Sequence, residues 1–207
     1  MREDGYSFRR ARRVPPKSPP AQEQTRARRT LSRLHRLEAA GRRHVYYADE
    51  SGFCLQPPLP YLWQKKGQTV GLRSQAHSRR LNVLGFLSKE GNLHSFPTQE
   101  TLTATHLIES IESLLPTLAR PTTIVLDNAS VHRAKAVREK QAEWKAKGLR
   151  LLFLPPYCPH LNKIETLWRQ MKYRWLAPAA YTDFATLCQS VTSILAQVGT
   201  KYQITYA

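Results

Sequence analysis

Residues 122–132 read Thr-Thr-Ile-Val-Leu-Asp-Asn-Ala-Ser-Val-His, and residues 151–168 read LLFLPPYCPHLNKIETLW. The run Ile124-Val125-Leu126 stops abruptly at Asp127. Such a short apolar run predicts a strand buried on both faces, whose C-terminal end is where an open α/β sheet carries functional groups. A second apolar run, Leu151 to Leu154, is stopped by Pro155-Pro156 and followed by a Pro-rich turn. After the turn, Ile164, Leu167, Trp168, Met171 and Trp175 recur at helical spacing and predict one apolar stripe. Glu165 lies on the edge of that stripe, 38 positions beyond Asp127.

A third carboxylate belongs with these two. His44 to Ala48 is β-prone and runs into Asp49, after which Ser51-Gly52 predicts a break. Three carboxylates gathered at one place repel and take up protons unless cations neutralise them. Hard oxygen ligands suit Mg²⁺ or Mn²⁺. Two such ions roughly 3.5–4 Å apart activate an attacking oxygen and stabilise the leaving one. Asp49, Asp127 and Glu165 are thus the candidate catalytic and metal-binding residues, with two ions as the expected cofactors.

The same residues resemble a known family. ADES around Asp49, LDNASVH from Leu126 to His132, and LPPYCPHLNKIETLW from Leu154 to Trp168 are similar to the catalytic domain of IS630/Tc1/mariner transposases. The likeness covers about residues 44 to 176. Three positions depart from the usual pattern: Cys158 stands where Ser is usual, His160 where an acidic residue is common, and Lys163 where Pro is common. The resemblance implies an RNase H-like fold and a DDE site that cleaves DNA at transposon ends. The freed 3′-hydroxyl would then join to target DNA, at TA dinucleotides. It further implies double-stranded DNA as partner, a homodimer or higher assembly on that DNA, and a helix-turn-helix recognition domain. The 43 residues before the first expected strand are too few for that domain, so this chain alone is expected to show weak sequence preference.

Charge points the same way. The 207 residues carry 32 Lys+Arg against 15 Asp+Glu, a net +17, which favours a polyanion and above all nucleic acid. No apolar run approaches the ~20 residues of a membrane span, and no secretory h-region follows Met1. Cys54, Cys158 and Cys188 are scattered and unpaired in pattern. They are read as reduced thiols of a cytoplasmic, nucleoid-associated prokaryotic protein.

Residues 1–43 form a basic arm or linker that precedes a catalytic domain over 44–207. Residues 1–44 hold 13 Lys+Arg and 4 Asp+Glu. Phe8 to Pro20 is expected to be extended, because Pro15-Pro16 and Pro19-Pro20 oppose helix. Gln24 to Ala40 turns helical, with Gly41 as its stop. A solvated linker and an arm tracking the DNA backbone are both compatible with this stretch. Arg9, Arg10, Arg12, Arg13, Lys17, Arg42 and Arg43 are the candidate DNA contacts.

The remaining order is βββ-α-β-α-β-α: an antiparallel meander from the Asp49 strand, then alternating helices and parallel strands, with flanking helices. Short strands are expected at Tyr61–Trp63, Thr69–Val70, Leu81–Leu87 and Leu93–Phe96, and helices at Thr105–Leu118 and Lys135–Lys147. A last helix follows Thr182-Asp183. A right-handed crossover would return the Asp127 strand parallel to the Asp49 strand, with both aspartates at one sheet end. Secondary site candidates are Asn128, as a turn cap or DNA contact; His132, near the metals or structural; and Tyr157 and Asn162, shaping the loop that aims Glu165. Strand alternation sends Glu50 to the other face, where it is read as a solvated carboxylate. Two other readings stay open: a non-catalytic DNA-binding remnant, and a different RNase H-like nuclease.

Overall fold

A computed structural model describes residues 20–58, 66–67 and 79–206. The strands expected at Tyr61–Trp63 and Thr69–Val70, and Arg9 through Lys17, lie outside the described residues.

Five strands form one mixed sheet: β1 (His44–Cys54), β2 (Arg80–Ser88), β3 (Leu93–Thr98), β4 (Thr122–Leu126) and β5 (Leu149–Phe153). Their spatial order is β3-β2-β1-β4-β5. The first three pair antiparallel, whereas β4 lies parallel to both β1 and β5. This is the mixed sheet expected from the element order, and it matches the RNase H-like fold that the family resemblance implies. Helices α1 (Ala21–Ala39), α2 (Ala104–Leu114), α3 (Lys135–Ala146), α4 (Ile164–Gln170) and α5 (Phe184–Leu195) cover it.

Alternation along the strands divides the core in two. Tyr47 and Val125 face the α1, α4 and α5 side, with Leu31, Ile164, Leu167, Trp168, Leu187 and Val191. Tyr46, Ala48, Ile124 and Leu126 face the α2 and α3 side, with Leu107, Ile111, Val137 and Trp144. β4 is buried at all five positions because both of its faces are covered, which explains its uninterrupted apolar run.

Three local expectations need correction. β1 does not break at Ser51-Gly52. Its ladder with β2 continues from Tyr46↔Ser88 to Cys54↔Arg80, so continuous pairing overrides the local turn signal and Asp49 lies within the strand. The helix expected to reach Leu118 ends at Leu114 and tightens into a 3₁₀ turn over Leu115–Thr117, where Pro116 has no N–H to continue the ladder. Beyond α4 the chain widens into a π-helical turn, Met171–Trp175, closed by Leu176 N–H donating to the Met171 carbonyl at 3.0 Å. Elsewhere Asp183 caps α5 by accepting from Thr186 N–H at 2.8 Å. Gly148, at φ +85°, ends α3 and turns directly into β5.

Helix α1 is seated on the sheet. Leu31 enters the core, Glu38 accepts from Val45 N–H at 2.9 Å, and the Tyr47 hydroxyl meets His35 Nε2 at 2.6 Å. Burial first, and then the charges of Lys163 and Lys89, lower the pKa of His35 and favour the neutral ring.

Candidate active site

The parallel pairing of β1 with β4 runs from His44↔Thr122 to Tyr47↔Val125. Asp49 and Asp127 each stand two residues past that last pair. They stand level with each other, Asp49 within β1 and Asp127 just past the end of β4, with the parity of Tyr47 and Val125, toward the side that α4 covers.

Close approach of α4 depends on a missing side chain. Asp49 lies across the ladder from Gly85, and a Cβ there would fall 2.9 Å from Trp168 Cη2 and 3.0 Å from Ile164 Cδ1. The helix nests on that bare backbone, and its first turn carries Glu165. A further tie fixes the start of the helix. Buried Asn162 donates from Nδ2 to the Ala48 carbonyl at 3.0 Å, and its own carbonyl accepts from Glu165 N–H at 3.2 Å. One side chain thus links the residue before Asp49 to the helix turn of Glu165.

The three carboxylates act on one another electrostatically. Burial, then the charges of Glu165, Glu50 and Asp127, push the Asp49 carboxyl up to about 8. Burial also raises Glu165; the Lys172 charge opposes this, and the Asp127 charge adds to it. Asp127 moves the other way, chiefly through its hydrogen bond to His132.

His132 is fully buried, and each ring nitrogen meets a carboxylate: Nδ1 with Asp127 Oδ1 at 2.7 Å and Nε2 with Glu50 Oε1 at 2.9 Å. Ionised carboxylates only accept, so both nitrogens donate and the ring is an imidazolium. Burial works against that charge, but the bonds to Asp127 and Glu50 prevail and lift the pKa to about 10. Glu50 does point to the opposite face, as alternation requires, yet it is not a solvated bystander. It is the far end of a carboxylate–imidazolium–carboxylate bridge, joined across 82 sequence positions and without any local signal.

The loop candidates take different places. The turn after β4 is closed by Asp127 itself, whose Oδ1 accepts from Ala129 N–H at 3.0 Å. Asn128 and Tyr157 instead line a cleft of about 390 Å³ together with Asp127, Asn162 and Glu165. Tyr157 is exposed and has φ +59°, which is uncommon for a bulky residue. Glu165 also borders a neighbouring cleft of about 560 Å³ with His160, Lys163, Arg169, Lys172 and Tyr173. Lys172 went unmarked in the sequence. Its ammonium is 5.4 Å from the centre of the Phe53 ring, and burial, then the Arg80 charge, lower its pKa despite Glu165 and Asp49 nearby.

Among the described residues no three His, Cys, Asp or Glu groups are already close enough to hold an ion between them. The chemistry of the donors nevertheless fits a hard divalent cation. Asp49, Asp127 and Glu165 offer oxygen alone; burial first, and then the neighbouring carboxylate charges, keep the Asp49 proton in place, and a cation would relieve both. The three cysteines are free and lie apart from one another in sequence.

The basic candidates divide. Arg43 is engaged at the far end of the sheet, donating to the Thr122 carbonyl at 3.3 Å and Thr123 Oγ1 at 3.0 Å, whereas Arg42 is exposed. No helix among the described residues is long and apolar enough to cross a membrane.

Comparison with known proteins agrees with this architecture. A 39 kDa protein of insertion element IS630 from Shigella sonnei is 26% identical over 146 residues, covering 68% of this chain and 42% of its own length. Mos1 transposase in a paired-end complex with the left transposon end matches with a TM-score of 0.64 at 20% identity, over 94% of this chain and 60% of that one. The isolated catalytic domain of Mos1 mariner transposase matches with a TM-score of 0.53 at 16% identity, over 88% and 85% of the two chains. The chain therefore spans under half of its curated relative and about three-fifths of the longer Mos1 chain. At these identities the solved structures speak for the fold. The family model described as DDE superfamily endonuclease matches residues 44–188, most of the chain, and the protein belongs to that family.

Proposed function

We propose that this chain is the catalytic domain of an IS630/Tc1/mariner-type transposase, cleaving DNA at transposon ends and joining the freed 3′ end to target DNA. The observation that carries this reading is the equal offset of Asp49 and Asp127 beyond Tyr47↔Val125, with the Glu165 helix docked on the same side. Asp49, Asp127 and Glu165 would hold two divalent ions, Mg²⁺ or Mn²⁺. When bound, such ions activate the attacking oxygen and stabilise the leaving one. Mos1 paired-end complexes with Mg and with Mn support that choice.

The chain's own groups have defined tasks. Asp49 must give up its proton before its oxygens can serve. Asn162 keeps Glu165 in step with β1. Lys172 and Arg169, beside Glu165 in the larger cleft, are placed to balance phosphate charge. Water attacks first and the DNA 3′-hydroxyl second, so no protein–DNA covalent bond is required. Buried Cys158, whose thiol burial pushes up, is not a nucleophile. Insertion at TA, assembly as a dimer or larger on DNA, a helix-turn-helix domain for end recognition, and a cytoplasmic, nucleoid-associated setting complete the proposal.

The test is nicking of supercoiled plasmid and joining of a labelled donor 3′ end, with Mg²⁺ or Mn²⁺. Joining that is lost in Glu165→Gln supports the reading. Cleavage without joining makes the chain a different RNase H-like nuclease. Neither activity makes it a DNA-binding remnant, and unimpaired nicking by Glu165→Gln overturns the site.

A further inference from the structure

Both hydrogen bonds made to the Asp127 carboxylate fall on one oxygen. Oδ1 accepts from His132 Nδ1 at 2.7 Å and from Ala129 N–H at 3.0 Å. The ring that supplies the first bond has no rotational freedom, because its other nitrogen is held by Glu50 Oε1 at 2.9 Å and the imidazole is wholly enclosed. Glu50 is in turn fixed by its place in the β1–β2 ladder, opposite Leu84.

We propose that Glu50, acting through His132, is a positioning residue for Asp127: the pair occupies Oδ1 and presents Oδ2 as the oxygen that meets a divalent cation. The inference rests on the function proposed above. It enlarges the site from three carboxylates to four, the fourth on the opposite face of the sheet and never in contact with the ion. The physical reason is order. A lone strand-end aspartate rotates about χ1 and χ2 and must be frozen when the ion arrives, whereas a carboxylate pinned at one oxygen is already aimed.

The experiment is calorimetric titration of the whole chain with Mg²⁺ and with Mn²⁺, alongside proton NMR of the His132 ring N–H groups and a thermal melt. Variants are Glu50→Ala, Glu50→Gln, Glu50→Asp and Asp127→Asn. Glu50→Ala should weaken ion binding about 10–100-fold, the range for losing a group that orients a metal ligand. Glu50→Gln, which keeps an acceptor oxygen, should recover most of it. The Nε2–H signal should broaden or vanish in Glu50→Ala and persist in Glu50→Gln. If Glu50→Ala fails to fold, Glu50→Asp, with its oxygens withdrawn by one methylene, should show the same loss. Ion binding within twofold of the wild type in a folded Glu50→Ala or Glu50→Asp protein, while Asp127→Asn loses it, overturns the positioning role and leaves the function intact. Wild-type ion binding in Asp127→Asn overturns the function as well.

Discussion

Gly85 faces Asp49 across the β1–β2 ladder, and the space left by its absent side chain is filled by the indole of Trp168. That contact, on the strand paired with the one bearing Asp49, helps to set how closely the helix bearing Glu165 approaches. Gly85→Ala must therefore move the helix, the strand or both. Overpacking of this kind costs about 1–3 kcal/mol. We expect a lowered melting temperature and a larger fall in strand cleavage than in DNA affinity, measured side by side on the folded variant.

Asn162 offers a second test of the same spacing. Asn162→Ala removes the donor to Ala48 and leaves that carbonyl buried without it, a cost of about 1–3 kcal/mol. Cleavage should fall with little change in DNA affinity, because the variant frees the turn of Glu165 without touching the basic surface. Equal losses in both assays would assign Asn162 to DNA contact.

Proton release should accompany ion binding. The Asp49 carboxyl is raised from 3.8 to about 8 in the metal-free fold, so between those values the folded chain holds a proton that the unfolded chain does not. Raising pH through that window costs the metal-free protein stability, and above about 8 the loss is complete. A cation must displace this proton. Its apparent affinity should therefore climb about tenfold per pH unit below 8 and level off above it. Titrations at pH 6, 7, 8 and 9 in buffers of differing ionisation enthalpy measure both the slope and the released proton.

The arm should act through charge alone. Replacing Arg9, Arg10, Arg12, Arg13 and Lys17 by Gln removes five cations. If all five meet phosphates, the slope of log affinity against log salt falls by about 4–5, since each contact contributes ~0.9. Affinity should drop alike for random duplex and for transposon ends. An unchanged slope would exclude the arm from the DNA path.

Trp144 provides the contrasting case. It is fully buried on the α2 and α3 side, away from the helix that carries Glu165. Trp144→Ala should cost about 3–5 kcal/mol in denaturant unfolding and leave ion affinity of the folded fraction unaltered.

The parts of this protein legible in its sequence are those whose neighbours lie close along the chain. Val137 and Trp144 mark the inner face of α3, and Ile164, Leu167 and Trp168 that of α4, because helical periodicity is local. The run ending at Leu126 announces a strand covered on both sides. Asp127 and Glu165 sit in long motifs, so they could be named as candidates before the fold was known. What could not be read depends on partners brought from afar. β1 passes through Ser51 and Gly52 because β2 pairs with it there, and nothing in residues 44–54 reveals that. Glu50 looks like an ordinary exposed acid until His132 arrives from 82 positions away. Gly85 looks like a weak point in a strand until Trp168 needs the room.

The docking of α1 carries one mechanical consequence. Glu38 grips Val45 and His35 grips Tyr47, only four and two residues ahead of Asp49. The helix also bears Arg26, Arg28, Arg29, Arg33 and Arg36. The helix that carries these guanidinium groups is thus tied directly to the central strand that bears the first aspartate.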